Sequence, residues 1–276
     1  MTSPSDKVDA FRQLHAEGCF VIPNPWDVGS AVALEQLGFK ALATTSAGFA
    51  WSLARPDQGV ERAEVLEHLR RVASAVGVPV NADFEGGFAD DPAGVAESVE
   101  LAAATGIAGL SIEDSTRGAE EPLYPIDLAV ERIRAARRAI DASGTGVLLT
   151  GRSEGFIAGR PDLEETTRRL QAYADAGADC LYAPGIGTAE QVSAIVAAVA
   201  PKPVNLLVHE PFITVSEAAS LGVRRISVGG ALARTAWAGF VAAAQEIADE
   251  GTFTRLAELP ANETVGAVLG GFSGRA

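Results

Sequence analysis

A small set of acids and one arginine carries the clearest chemical signal in this chain. Asp83 and Glu85 stand two residues apart, Glu113 and Asp114 are adjacent, and Arg152 follows later. On an extended strand, residues two apart point the same way, so Asp83 and Glu85 are expected to share a direction. Gathering several carboxylates in one place is costly unless a cation neutralises them. Oxygen ligands without His or Cys favour a hard ion, Mg²⁺ first and Mn²⁺ as the alternative, held by one or two carboxylates with waters completing the shell. Arg152 would stand among these acids as a fixed cation, and its planar fork suits a substrate carboxylate.

These residues need elements to position them. The chain alternates short apolar or β-branched runs (20–23, 41–44, 78–83, 109–112, 147–150, 180–182, 204–207 and 225–228) with Ala/Glu/Arg-rich stretches of helical period, such as 62–76, 92–105, 126–142, 163–176 and 188–200. Several helical stretches end in glycine (Gly38, Gly77, Gly106, Gly177, Gly222), as expected for left-handed C-terminal caps. Asp162, and Ser216 or Thr214, are candidate N-caps. Eight βα units predict an α/β fold of the (β/α)8 TIM barrel type. A doubly wound sheet is disfavoured, because no GxGxxG follows the first strand. The expected organisation is one barrel domain over 1–276 with a C-terminal helical extension from about 231, and that tail is longer than one closing helix requires.

In such a barrel the reactive groups collect where strands end. Strand one is followed by Asn24-Pro25-Trp26-Asp27 and strand two by Thr44-Thr45-Ser46-Ala47-Gly48. Strand three ends in Asp83-Phe84-Glu85-Gly86-Gly87-Phe88, strand four in Glu113-Asp114-Ser115, and strand five in Gly151-Arg152-Ser153-Glu154. Strand seven offers Asn205 and then His209, and strand eight Gly229-Gly230. Asp27, Asp90 and Asp91 read as caps or solvated loop residues, and Cys180 as core. Gly229-Gly230 reads as a helix start, since no basic residue stands beside it to form a phosphate cradle.

Composition narrows the class. The 276 residues are 47% hydrophobic with a net charge of −14, a poor match for nucleic acid or anionic membrane and a suitable one for a small molecule. Cys19 and Cys180 form neither a disulfide framework nor a zinc site. The N-terminus lacks a basic-then-apolar signal pattern and no apolar run is long enough to span a bilayer, so a cytoplasmic protein is expected.

Together, Pro23-Asn24-Pro25-Trp26-Asp27, Thr45-Ser46-Ala47-Gly48, Asp83-Phe84-Glu85-Gly86-Gly87-Phe88, Ile112-Glu113-Asp114-Ser115 and Gly151-Arg152-Ser153-Glu154 resemble the isocitrate lyase/phosphoenolpyruvate mutase superfamily. The resemblance implies a (β/α)8 barrel whose last helix is exchanged with a partner, within a homotetramer built as a dimer of dimers. It implies Asp83 as a Mg²⁺ ligand, with Glu85, Glu113 and Asp57 holding the ion's waters. Glu85 replaces the more usual Asp. It implies Ser46, Ala47 and Gly48 as the grip on a 2-oxo acid, with Asp83, Arg152 and Asn205 completing the substrate set, and Arg152, Glu113 and Ser46 as the catalytic residues.

The sequence also departs from that pattern. The lyases' Lys-Lys/Arg-Cys-Gly-His loop after strand four is here Ser115-Thr116-Arg117-Gly118-Ala119-Glu120-Glu121-Pro122, with no Cys, His or Lys. The Lys and Asn of the mutase loop are missing too, and the lyases' glutamate after strand six gives way to Ala183-Pro184-Gly185. This places the chain with the methylisocitrate lyase-like or mutase-like members that lack the loop. The expected activity is Mg²⁺-dependent cleavage of a C–C bond beside a 2-oxo acid or carboxylate through an enolate, as in a methylisocitrate lyase, oxaloacetate decarboxylase or oxalomalate lyase. The alternatives are a C–P enzyme for phosphonopyruvate-type substrates and a non-catalytic 2-oxo-acid binding protein. Tyr124, Glu121 and His209 are the candidates for a proton donor.

Overall fold

Each of the eight apolar runs forms a strand. The computed structural model describes residues 2–116, 120–258 and 265–267. Its strands are β1 (Phe20–Ile22), β2 (Leu42–Ala43), β3 (Val80–Asp83), β4 (Gly109–Glu113), β5 (Leu148–Arg152), β6 (Cys180–Tyr182), β7 (Val204–Leu207) and β8 (Arg225–Ser227). They pair in parallel in the order β1-β8-β7-β6-β5-β4-β3-β2. Only the β1/β2 seam lacks a ladder. Pro23 and Pro25 continue β1 and have no N–H to donate across it. The seam is held instead by Ala43 N–H to the Pro23 carbonyl (3.0 Å) and by the Asn24 amide to the Thr44 carbonyl (2.9 Å). The result is a nearly closed, TIM-like barrel.

The surrounding helices are α1 (Pro4–Ala16), α2 (Val28–Gln36), α3 (Ser46–Ser52), α4 (Arg62–Ala75), α5 (Pro92–Ala103), α6 (Ile126–Ser143), α7 (Leu163–Asp175), α8 (Ala189–Val199), α9 (Val215–Ser220) and α10 (Ala231–Glu250). Their apolar stripes face the sheet: α6 buries Ala129, Val130, Ile133, Ala136 and Ile140, which recur at three- and four-residue steps. Asp162 caps α7 by accepting from Glu165 N (3.0 Å), and Thr214 rather than Ser216 caps α9. Gly38, Gly106, Gly177 and Gly222 take positive φ as expected. Gly77 does not. There α4 ends in an extended residue, Val76, and the Gly77 N–H is taken by the Glu35 carboxylate (2.6 Å).

Two helices went unread in the sequence. The polar N-terminus forms α1, closed by a Ser3/Asp6 capping box. Phe11 and His15 of α1 pack edge-on to one another and to Phe20, the first residue of β1. Contacts with the first residues of strands place α1 under the barrel floor. Helix α3 is a short helix at the opposite end, directly after β2, N-capped by Thr45.

Helix α10 has the expected bounds from 231. Ala233 near its start packs toward Gly48, while Trp237, Phe240 and Val241 are exposed. Beyond it, Glu246 accepts from Thr252, from Thr254 and from Arg255 N (2.9 Å), tying a short 3-10 turn (Thr254–Glu258) back onto the helix. Residues 117–119 of the strand-four loop and 259–264 and 268–276 of the tail, on which part of the loop and tail expectations falls, lie outside the described residues. No helix among the described residues is long and apolar enough to cross a membrane.

Candidate functional site

Asp83 is the last residue of β3, and two elements fix its carboxylate. Oδ2 accepts from Ser46 N (2.9 Å) and Oδ1 from Arg152 Nη1 (3.2 Å). Ser46 is the first residue of α3, so its N–H belongs to the turn a helix leaves unbonded and is free to meet an acid. The Asp83 N–H in turn donates to Thr44 Oγ1 (3.0 Å).

Arg152 ends β5 and stands at the centre of the acids. Its guanidinium bonds Glu154 through two nitrogens, Asp83 through a third, and lies 3.4 Å from Glu113 Oε2. It also lies over the Tyr182 ring, 5.1 Å from the centroid. Burial alone would lower the Arg152 pKa, but the charges of Glu154 and Glu113 outweigh it and raise it well above the usual value. The acids respond in the opposite sense. Burial, then the Glu154 charge, pushes Glu113 well above the usual carboxylate range, with Arg152 only partly offsetting this. Burial likewise raises Glu154, against the pull of Arg152. Asp57 leans over the pocket from an exposed loop. Removal from water and then the Asp83 charge raise its pKa, although the Ser46 hydroxyl and Gln58 N–H bond it.

The expected site residues divide. Ser46, Ala47, Asp57, Asp83, Arg152 and Asn205 line one cavity of about 170 Å³ that opens at the strands' C-terminal ends. Glu113 does not line it. It is buried behind Arg152, within 3.4 Å of Gln58 Nε2. Glu85 is a correction to the alternation argument: β3 stops at Asp83, and Glu85 lies in the following turn at φ +50°, so extended-strand geometry does not apply. Its carboxylate neighbours Glu113, and it does not line the cavity. Gly48 is a second correction. Its N–H donates to Thr45 Oγ1 (3.3 Å), and it is closely packed: a Cβ there would lie 2.7 Å from Thr45 and 2.9 Å from Trp26. It shapes the turn rather than reaching into the cavity.

The proton-donor candidates lie apart from this cavity. The Tyr124 hydroxyl donates to Asp90 (2.5 Å), Glu121 and His209 are exposed, and none of the three lines it. Cys180 is buried and its thiol pKa is raised by that burial, as a core residue's would be. Asp27 and Asp91 are N-caps of α2 and α5. Gly230 precedes α10, as read, but both Gly229 and Gly230 also line the cavity.

Sequence reasoning missed four residues. Glu154 was legible, because it stands two residues after Arg152 and reaches back to it. Tyr182 is two residues from Cys180 on β6 and faces the same interior. Asn24 is less visible: its Oδ1 accepts from both Val228 N and Gly229 N (2.9 Å each), tying the end of β1 to the end of β8. Arg225 was assigned to a strand without a role.

Among the described residues, no three Asp, Glu, His or Cys side chains converge as a preformed metal cage. Mg²⁺ keeps most of its waters and needs only one or two carboxylates from the protein. Asp83 and Asp57, together on the cavity wall with one raised in pKa by the other's charge, fit that requirement.

Residues 11–248 match the family model described as phosphoenolpyruvate phosphomutase. The chain belongs to the phosphoenolpyruvate mutase/isocitrate lyase superfamily. This superfamily contains C–C lyases and phosphoenolpyruvate mutases. An uncharacterized protein of Mycobacterium tuberculosis is 32% identical over 80% of this chain and 81% of its own length. An oxaloacetate decarboxylase of Pseudomonas putida is 32% identical over 67% of this chain and 65% of its own. Among solved structures, a lyase/mutase candidate from Burkholderia cenocepacia J2315 is 46% identical with a TM-score of 0.92, covering 95% of both chains. An oxaloacetate acetylhydrolase in complex with its product oxalate is 29% identical with a TM-score of 0.86, covering 97% of this chain and 95% of that one.

Proposed function

We propose that this superfamily member is a Mg²⁺-dependent lyase that cleaves a C–C bond beside the oxo or carboxylate group of a small 2-oxo acid. The observation that carries the reading is the Asp83 carboxylate, held on the cavity wall by Ser46 N and Arg152 with Asp57 beside it. In this reading Asp83 holds the ion and Asp57 its waters, while the buried Glu113 holds Arg152 in place behind the cavity wall. When bound, Mg²⁺ supplies Lewis-acid polarisation of the substrate's oxygens. The first turn of α3, at Ser46 and Ala47, orients the substrate carboxylate. Arg152 contributes a fixed positive potential where negative charge develops, and it needs no reorganisation because Glu154 and Glu113 already hold it. Asn205 bounds the substrate from β7. The similarity to an oxaloacetate decarboxylase and to an oxalate-binding acetylhydrolase supports oxaloacetate-like acids as the first substrates to test.

Asp83→Ala decides the matter. It is expected to abolish Mg²⁺-dependent turnover of oxaloacetate, and Mg²⁺ binding measured by calorimetry, while leaving the circular dichroism spectrum unchanged. Retained turnover removes Asp83 from the metal site. Binding of oxalate by the wild type without turnover of oxaloacetate, methylisocitrate or phosphonopyruvate identifies a binding protein instead.

The proposed assembly is a homotetramer in which α10 meets a partner copy. Its support is the exposed apolar surface of Trp237, Phe240 and Val241. Gel filtration is expected to give a multimer that Phe240→Asp dissociates. A wild-type monomer refutes the assembly.

A further inference from the structure

Parallel barrels ordinarily fill their interior with layers of branched apolar side chains. The deep interior of this one is polar. Asn81 of β3, Ser111 of β4, Asn205 of β7 and Arg225 and Ser227 of β8 are all buried, and all line the cavity that opens at Asp83. The cavity they line is a shaft running from Asp83, where β3 ends, to Arg225, where β8 begins, toward the floor that α1 closes.

Arg225 is the unusual member. It is the first residue of β8 and is 3% exposed. Nε donates to Asn205 Oδ1 (2.8 Å), Nη2 to Thr150 Oγ1 (3.1 Å), and Nη1 lies 3.3 Å from His15 Nε2. Asn205 and Thr150 carry no charge, and burial and the Arg225 charge depress His15 to about 3, so it is neutral at physiological pH. Among the described residues, no carboxylate lies within salt-bridge distance of Arg225. Arg152 has Glu154 and Asp83, and Arg169 has Asp114 and Glu165. Buried Arg132 donates to the backbone carbonyls of Gly86, Ala89 and Asp90 but lies outside this cavity, so Arg225 is the one guanidinium with neutral partners alone among the described residues lining it. A guanidinium removed from water with neutral partners alone is a costly arrangement, which an incoming anion relieves. A second observation lies in the same cavity. Asn81 is 4% exposed, and its buried Oδ1 has no hydrogen-bond partner among the described residues.

We propose that the floor of the shaft is a carboxylate subsite, in which Arg225 receives the second carboxylate of a dicarboxylic 2-oxo or 2-hydroxy acid and Asn81 Oδ1 accepts from a hydroxyl or water of that arm. The cavity is then bipolar. Acids and the ion they hold grip the oxo end at the mouth, and a lone cation draws the far end inward. Selection for diacids over monoacids follows from this polarity, because a monoacid leaves Arg225 unpaired. The substrate assignment rests on the 2-oxo-acid reading of the mouth, whereas the anion site itself does not.

Calorimetric titration of the Mg²⁺-loaded protein with pyruvate (one carboxylate) and 2-oxoglutarate (two) tests it. In the wild type 2-oxoglutarate binds more tightly. Arg225→Gln weakens 2-oxoglutarate at least tenfold and leaves pyruvate within twofold, and Arg225→Lys, which keeps the charge, retains part of the preference. Equal weakening of both acids, or of neither, overturns the proposal. If neither acid binds the wild type, the reading of the mouth fails and the substrate assignment falls with it. A bromide soak of metal-free crystals separates the two failures. Anomalous density beside Arg225 keeps an anion site open to free anions, and an empty floor overturns that as well.

Discussion

Replacing Arg152 by methionine probes the electrostatic design of the site most directly. The guanidinium bonds Glu154 twice and Asp83 once, and also pairs with Glu113, with its own side chain only 16% exposed. Methionine fills part of the volume and removes the one cation among these acids. Breaking a buried ion pair from one side costs about 3–5 kcal/mol, because the partners are left as uncompensated buried charges. For a domain of this size each kcal/mol shifts Tm by about 2–4 °C, so Arg152→Met is expected to lower Tm by about 6–20 °C. Arg152→Lys keeps a charge but loses the fork, and should lose less stability while still impairing turnover. Mg²⁺ supplies an alternative cation, and at tenfold its Kd it returns about 1.4 kcal/mol. Arg134→Met is the control, since its pair with Glu131 is about half exposed on both sides and worth less than about 1 kcal/mol. The assay is thermal unfolding at neutral pH with EDTA and with Mg²⁺. A Tm for Arg152→Met as close to wild type as that of Arg134→Met would refute the view that Arg152 neutralises the acids.

Acidification should destabilise the fold through two histidines. Burial, with the charge of Arg225, depresses His15 to about 3, and burial depresses His68, stacked on Phe49, to about 4. Both are neutral in the folded chain, whereas the unfolded chain takes up their protons below about 6.5, so stability falls as pH drops from there. The loss is about 1.4 kcal/mol per unit per histidine, or about 2 kcal/mol each at pH 5. Urea unfolding of a His15→Gln/His68→Gln variant at pH 7 and pH 5 should show a shallower pH dependence, and an unchanged one contradicts their burial as neutral groups. At the barrel floor, Gly109→Ala places a methyl 2.6 Å from both Asn81 Oδ1 and Phe11 Cε1. A loss of about 1–3 kcal/mol is expected from such overpacking. An unchanged urea midpoint would show that α1 does not close the floor as described.

The local pattern of the chain determined its repeating unit. Short apolar runs followed by capped helical stretches gave eight strands in their places, because alternation, capping and glycine termination act over a few neighbouring residues. Asp83, Arg152 and Ser46 were legible for the same reason, as polar groups where strands must end. Only the tertiary structure decided which of them share a space. Glu85 left the strand direction in a left-handed turn, Glu113 was set behind Arg152, and Gly48 was packed against Trp26. Arg225 looked like an ordinary strand residue until Asn205, Thr150 and His15, distant in the chain, were brought around it. The environment of a buried charge is the sum of what surrounds it from every strand, and no window of sequence contains that sum.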